Sequence, residues 1–378
     1  MISEKTHSKK TCLLIMRSLF CGGAEKQFRY IISEMESERR RLIVLLLNNP
    51  FKGEEKLSKD FISDHPHVQF YQLNGNVLNC NSNYKCIVIA AKVDSLIRQF
   101  FWLKRFLKRN QIDTVMFSYV TQLLMTPLFC AHGVKVIFNE RNTGRQICEK
   151  TYKRNLLKRC HKVVANSQYA ANYVREKTGI NVEVFHNAIE ELELEPIPHD
   201  DVNILVPARL MHLKNQELVI RALALMTEPG KKNRKLLLAG NFEDLNYVRK
   251  LKGTVDELKL NDRVKFCGQV DDMASIYRIT DLVILPSLEE GTPNVLLEAF
   301  MYKIRFLASD IPMNADIVSD AAFLFNPLDS QDLADRINWI LTLDDDAWLE
   351  KAEERRHFAV RNYGIHALHE KYEKLLFQ

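Results

Sequence analysis

Residues 281–302 read DLVILPSLEEGTPNVLLEAFMY, from Asp281 to Tyr302, and this stretch decides the fold. Leu282 to Leu285 form a continuous apolar run bounded by polar residues. That is the pattern of a strand buried on both faces, as in a parallel sheet covered by helices. Pro286 ends the run, and Glu289, Glu290 and Gly291 make a tight polar loop. Thr292 suits the cap of a following helix and Pro293 its first turn, where a missing N–H leaves nothing unpaired. The helix is expected to run roughly to Tyr302, with Asn294, Glu298 and Tyr302 on one face and Leu296, Leu297, Phe300 and Met301 on the other. Glu290 and Glu298 are then separated by on the order of 10 Å along the axis. They stand where open α/β sheets bind ligands and helix N-termini attract phosphate. On the carboxylates alone, a surface-loop Glu and an ordinary helical Glu read as well as a site. The strand and turn around them favour a two-acid ruler for the hydroxyl-bearing ends of one extended ligand.

The run E-G-T-P-N-V-L-L-E, Glu290 to Glu298, resembles the E-x7-E signature of retaining family 4 glycosyltransferases, and the preceding strand matches as well. The resemblance implies an α/β protein of GT-B architecture, two Rossmann-like doubly wound parallel-sheet domains facing across a cleft. It also implies that Glu290 contacts hydroxyls of a donor sugar and Glu298 the ribose of the sugar nucleotide. Gly291, Thr292, Pro293, Asn294 and Val295 would line the donor between them.

Upstream in the same half, Val202–Val206 reads as a strand, and the loop Ala208–Asn215 follows it. Arg209 and Lys214 lie five positions apart at that strand's carboxyl end. Two fixed cations there can hold a diphosphate and stabilise the charge that grows as it leaves; in isolation, two solvated basic residues are the better reading. The pattern R-L-x3-K-N-Q-E-L-V-I-R-A-L resembles the family's diphosphate clamp and decides for the first reading. Lys235–Ala239 and Val264–Phe266 are further strands. By the same resemblance, the backbone after them, at Gly240 and Val270, holds the nucleotide base. Helices are expected over Asn246–Leu258, Met273–Ile279, Asp329–Leu341 and Ala347–Asn362. Arg305–Ala308 is a strand, and Asp344-Asp345-Asp346 reads as surface at a helix end.

The first half repeats the alternation. Strands are read over Thr11–Arg17, Arg41–Leu47, Val68–Leu73, Thr114–Ser118, Val134–Asn139, Lys162–Asn166 and Val182–Phe185. Gly22 and Gly23, at the first strand-to-helix turn, let backbone N–H groups come close to a phosphate, although a plain turn fits the same residues. The G-G-A-E run resembles the opening of family 4 enzymes, where this turn faces the donor diphosphate. Glu140 and Arg141, after the fifth strand, are acceptor-side candidates. Ser118-Tyr119 stand where some relatives carry a catalytic His, so no acceptor-activating residue is assigned. His186-Asn187-Ala188-Ile189 resembles the family's hinge, and Glu190–Asp201 reads as a linker. The domains are therefore 1–190 on the acceptor side and 191–363 binding the sugar nucleotide. A last helix within 364–378 is expected to return to the first domain.

A chain of 378 residues exceeds one ordinary core and suggests two domains. No apolar run approaches the ~20 residues of a spanning helix, and no signal-peptide core precedes the first strand, so a cytoplasmic protein is expected. The eight cysteines are scattered, with no C-x-x-C and no His at metal spacing; they read as unbridged thiols. The net charge of +5 hides an asymmetry. Residues 1–190 carry 30 Lys and Arg against 16 Asp and Glu, a net of +14, and residues 191–378 carry 23 against 32, a net of −9. A basic first half points to an anionic partner. The helix read over Lys92–Asn110, with a basic face, suits either a packed core helix or one lying on an anionic membrane surface. No nucleic-acid motif is present.

These readings converge on a hexosyltransferase taking a nucleotide-sugar donor, a UDP-sugar rather than a GDP-sugar, with no metal and no other cofactor required. The acceptor implied is a hydroxyl of a glycan, carried on a polyprenyl diphosphate as in surface-polysaccharide assembly, with peripheral attachment to the membrane's inner face. Two other readings stay open: a sugar-nucleotide epimerase of the same architecture, and a non-catalytic sugar-nucleotide-binding subunit.

Overall fold

The structure, a computed structural model, describes residues 10–20, 23–38, 40–47, 55–73, 100–226, 233–270 and 272–378. Gly22, the first part of the helix read over Lys92–Asn110, and Asp271 lie outside them. By internal packing the chain divides into two units, Met1–Ala188 with Leu368–Gln378, and Ile189–Ala367.

The first unit is built on seven strands: β1 (Thr11–Met16), β2 (Arg41–Leu46), β3 (Val68–Gln72), β4 (Thr114–Phe117), β5 (Lys135–Glu140), β6 (Lys162–Ala165) and β7 (Val182–Val184). Their order across the sheet is β3-β2-β1-β4-β5-β6-β7, with every neighbouring pair parallel. The order reverses between β1 and β4, which opens a crevice at their carboxyl ends. Helices cover the sheet because its strands are apolar on both faces: all six side chains of β1 and all four of β4 are buried.

The second unit carries β8 (Val202–Pro207), β9 (Arg234–Ala239), β10 (Val264–Gly268), β11 (Leu282–Leu285), β12 (Arg305–Ser309) and β13 (Leu324–Phe325). The order is β10-β9-β8-β11-β12-β13, again parallel throughout. The Leu282–Leu285 run is central. It pairs with β8 through Leu282 opposite Ile204 and with β12 through Leu282 opposite Arg305, and all four of its side chains are buried. Each such side chain contributes about 1.5–3 kcal/mol relative to exposure. The two-residue strand β13 was not read from the sequence. β10 also runs two residues past the expected Phe266, through a register shift that ends at Gly268 in a left-handed conformation, φ +68°.

The last helix, Ile365–Phe377, belongs mainly to the first unit. Tyr372 meets Phe185 edge-on at 5.1 Å, Glu373 pairs with Arg40, and His369 Nδ1 lies 3.1 Å from Glu34 Oε2. In the second unit the helix Asp345–Tyr363 packs through Arg355, whose guanidinium lies over the rings of Phe300, Phe306 and Phe323. This anchors the helix that carries Glu298. Asp344 caps the Asp345 helix by accepting from the amides of Asp346 and Ala347, and Asp345 pairs with Arg305 at 2.6 Å.

Candidate active site

The carboxyl ends of β8, β9, β10 and β11 carry most of the residues singled out in the second unit. The turn after β8 is stitched to its neighbours by main-chain bonds. Leu210 N–H donates to Asn241 O at 2.8 Å, and Gly240 N–H to Gly268 O at 2.8 Å. A Cβ on Gly240 would stand 2.2 Å from Ala208 O and 2.8 Å from Arg209 N, so the β9 turn passes against the Arg209 backbone with no room for a side chain. Buried Gln216 supports the same turn, donating through Nε2 to Arg209 O at 3.0 Å. The Arg209 guanidinium is exposed and pairs with Glu243 at 2.5 Å. An exposed pair of this kind holds the side chain weakly.

Lys214 ends a short turn, His212–Lys214, that closes on Asn215 in the left-handed region, φ 52°. Asn215 is held there by donating from Nδ2 to Pro327 O at 2.9 Å. Lys214 Nζ meets Glu290 Oε1 at 2.5 Å, with only 19% and 11% of the two side chains exposed. The loops that carry them are joined a second time, by Leu288 N–H donating to Leu213 O at 2.9 Å. Beneath the Glu290 loop, buried Ser309 donates from Oγ to Ser287 O at 2.6 Å, and buried Asn314 donates from Nδ2 to Ser309 O and Oγ at 2.9 and 3.0 Å. The loop is therefore fixed from the β8 side and from the β12 side.

The helix after the loop is Asn294–Met301, one residue shorter than expected, with Tyr302 as its C-cap. The expected start is shifted as well. Pro293, not Thr292, is the N-cap, with φ −77° and ψ 75°, and no side chain caps the first turn. Thr292 and Pro293 are buried, while Gly291, Asn294 and Val295 are half-buried. Glu298 accepts at Oε2 from the Tyr277 hydroxyl at 2.8 Å. Tyr277 ends the helix Met273–Tyr277, which starts shortly after half-buried Val270. Arg209, Lys214, Gly240, Val270, Glu290 and Glu298 thus follow the carboxyl ends of strands of one sheet, where Lys214 and Glu290 pair directly.

In the first unit Gly23 begins the helix Gly23–Met35, and its neighbour Gly22 is outside the described residues. Glu25 is buried and accepts from the Tyr119 hydroxyl across the β1–β4 crevice, with the Arg17 guanidinium 5.1 Å from the Tyr119 ring centroid. Gln27 clamps the end of the unit, donating to Ala188 O at 2.8 Å and accepting from Ala188 N–H at 2.5 Å. Glu140 and Arg141 are buried. Glu140 accepts from the Asn142 amide at 2.8 Å, and burial raises its carboxyl above the ordinary range against the pull of that amide, the Gly144 amide and Arg141. Arg141 donates to Asn187 Oδ1. Glu140 is thereby held by its own turn and Arg141 by the segment that ends the unit. Among the described residues no group of three His, Cys, Asp or Glu is arranged to hold a metal ion.

Tyr277, Gln216, Ser309, Asn314 and Gln27 were not anticipated. Tyr277, Ser309 and Gln27 act through partners distant in sequence, while Gln216 and Asn314 bond to nearby turns that only the folded backbone brings within reach.

A family model for glycosyl transferases group 1 matches residues 188–361, and one for glycosyltransferase family 4 matches residues 22–191. The chain belongs to the family 4 glycosyltransferases. Its two parallel sheets are the two Rossmann-like halves of the GT-B architecture. This glycosyltransferase is 23% identical over 306 residues to a Campylobacter jejuni protein named GalNAc-alpha-(1->4)-GalNAc-alpha-(1->3)-diNAcBac-PP-undecaprenol alpha-1,4-N-acetyl-D-galactosaminyltransferase, covering 77% of this chain and 81% of that one. It is 26% identical over 177 residues to the lipopolysaccharide core biosynthesis mannosyltransferase LpcC of Rhizobium leguminosarum, covering 44% of this chain and 50% of that one. Among solved structures, Anabaena HepE in complex with UDP and glucose has the same fold, with a TM-score of 0.77, 18% identity and coverage of 97% of this chain and 99% of that chain.

Proposed function

We propose that this glycosyltransferase moves a hexose from a UDP-sugar to a hydroxyl of a lipid-linked glycan during polysaccharide assembly, with retention of anomeric configuration. The observation that carries the reading is the contact of Lys214 with Glu290 at 2.5 Å, which sets a fixed cation beside a carboxylate at the carboxyl ends of β8 and β11. Lys214 and Arg209 meet the charge of the departing diphosphate, so the reaction calls for no metal. Glu290 orients the sugar hydroxyls and forms no covalent bond to the sugar. Glu298 receives the ribose, and the backbone at Gly240 and Val270 receives the base. The acceptor hydroxyl attacks on the face from which the diphosphate leaves, its oxygen forming the new glycosidic bond as the bond to the diphosphate oxygen breaks. The acceptor proton goes to the departing phosphate.

The named activities of the relatives support the donor and acceptor classes: UDP accompanies glucose in the HepE complex, and the Campylobacter enzyme's name carries a PP-undecaprenol acceptor. A peripheral membrane attachment is supported by the helical residues 100–110. There Phe100, Phe101 and Trp102 are exposed beside exposed Lys104, Arg105, Lys108 and Arg109. Among the described residues no helix is long and apolar enough to cross a membrane.

The test is a donor screen across UDP-, GDP- and ADP-sugars with purified protein, followed by Glu290→Ala, Arg209→Ala and Lys214→Ala. Each variant is expected to fold and to lose most of its transfer. Full activity in all three overturns the reading. Retention is checked from the anomeric coupling of the product by NMR. An epimerised nucleotide sugar formed without acceptor would identify an epimerase instead, and nucleotide binding without turnover a binding subunit.

A further inference from the structure

The Glu298 carboxylate does not stand alone. The Tyr277 hydroxyl donates to its Oε2 at 2.8 Å, and Tyr277 is only 3% exposed. The Tyr277 ring is itself held by Tyr302, one helical turn beyond Glu298, with centroids 5.0 Å apart. A buried hydroxyl that donates a hydrogen bond to a half-buried carboxylate limits that carboxylate to a narrow range of orientations, because turning away would leave a buried donor unpaired. Tyr277 also ends the short helix that follows Val270. One segment after β10 thereby carries both the backbone assigned to the base and the side chain that grips the second acid of the E-x7-E pair.

We propose that Tyr277 is a positioning residue that holds the Glu298 carboxylate in the orientation that receives the ribose of the sugar nucleotide. The proposal rests on the reading of Glu298 as the ribose contact. Burial first, and the neighbouring Glu298 charge second, push the Tyr277 phenol well above its ordinary value, so it remains a proton donor through the physiological range. Tyr277 touches the carboxylate, and its effect on the nucleotide passes through Glu298.

The experiment measures binding of UDP, 2′-deoxy-UDP and 3′-deoxy-UDP by titration calorimetry to the wild-type chain, Tyr277→Phe, Glu298→Gln and the double variant. The GDP series replaces these if the donor screen selects guanine. Wild type is expected to lose affinity for the analogue that lacks the gripped hydroxyl. Tyr277→Phe is expected to weaken UDP by about 10–100-fold, the factor of one hydrogen bond to a charged group, and to weaken that deoxy analogue by less than about threefold. The double variant is expected to bind no worse than Glu298→Gln. A Phe variant that weakens all three nucleotides by one common factor, or weakens none, overturns the role of Tyr277 while leaving Glu298 on the ribose. A wild type indifferent to both ribose hydroxyls overturns the ribose assignment of Glu298 and the role of Tyr277 with it. If Tyr277→Phe does not fold, a Glu298→Gln protein that keeps its full preference for UDP over both analogues overturns both roles as well.

Discussion

Lys214 and Glu290, 76 residues apart in the chain, meet as a mostly buried ion pair, Nζ to Oε1 at 2.5 Å. Their backbones are joined by the Leu288–Leu213 bond, so the pair is set by the fold and not by chance rotamers. A lysine held this way has its charge partly balanced by the carboxylate beside it, and a diphosphate competes with Glu290 for it. Glu290→Gln keeps the shape and removes the competing charge. UDP is expected to bind about 3–10-fold more tightly, in keeping with roughly 1 kcal/mol for a partly exposed pair. Transfer should meanwhile fall by about 10²–10³-fold, the range for loss of one closely aimed polar group. Calorimetry and turnover measured on the same preparation check both signs; weaker UDP binding would contradict the account.

At Gly240 the turn after β9 passes directly against the turn after β8. Gly240→Ala would force its Cβ to within 2.2 Å of Ala208 O, and the nearest atoms are all main chain and cannot swing aside. A loss of about 1–3 kcal/mol in stability is expected from overpacking. Because the displaced backbone is that of Arg209, kcat/KM should fall in the protein that remains folded. Denaturant unfolding and steady-state kinetics measure the two effects separately.

Ser309 lies in the buried chain of hydrogen bonds from Asn314 to the Ser287 carbonyl. Ser309→Ala leaves that carbonyl and one Asn314 donor bond unmade inside the domain. The expected loss is about 1–3 kcal/mol in unfolding free energy. The Glu290 loop should loosen on its β12 side, seen as faster amide exchange at Leu288–Gly291. Unchanged exchange there would separate the stability effect from the site.

His186 is half-buried, and burial lowers its proton affinity below the ordinary value of 6.5, opposed by a hydrogen bond with the Asn166 backbone and aided to a lesser degree by the Lys371 charge. The unfolded chain then binds a proton that the folded chain refuses once pH drops below about 6.5, so stability rises with pH up to that point and is lost below it. His186→Gln is expected to flatten the fall in thermal midpoint between pH 7 and pH 5. A wild type and variant with parallel curves would show that His186 does not carry the dependence.

The strands were legible where they were long and apolar on both faces, as in Leu13–Ile15, Ile43–Leu46 and Leu282–Leu285, because burial on both sides of a parallel sheet leaves no room for polar alternation. Leu324–Phe325 was not, since two residues carry no period. The Pro293 cap was misplaced by one residue because Thr292 has the better capping chemistry and the loop geometry overrides it. Glu290 and Lys214 could each be picked out from local spacing, but their meeting could not, since it depends on β8 and β11 being neighbours. The same holds for Tyr277, whose hydroxyl finds Glu298 only after two crossovers bring their helices together. Glu140 and Arg141 were legible as polar groups at a strand end, but not their partners, since the bond of Arg141 to Asn187 spans 46 residues.

The return of residues 368–378 to the first unit means that the polypeptide passes between units twice, once near Ala188 and again near Leu368. A cut at the first passage alone would strip Phe185 of its Tyr372 neighbour and leave Arg40 without Glu373. The autonomous amino-terminal half is therefore a discontinuous one, and a severed fragment ending at residue 188 would regain its missing wall only with the terminal peptide supplied in trans or grafted through a short bridge.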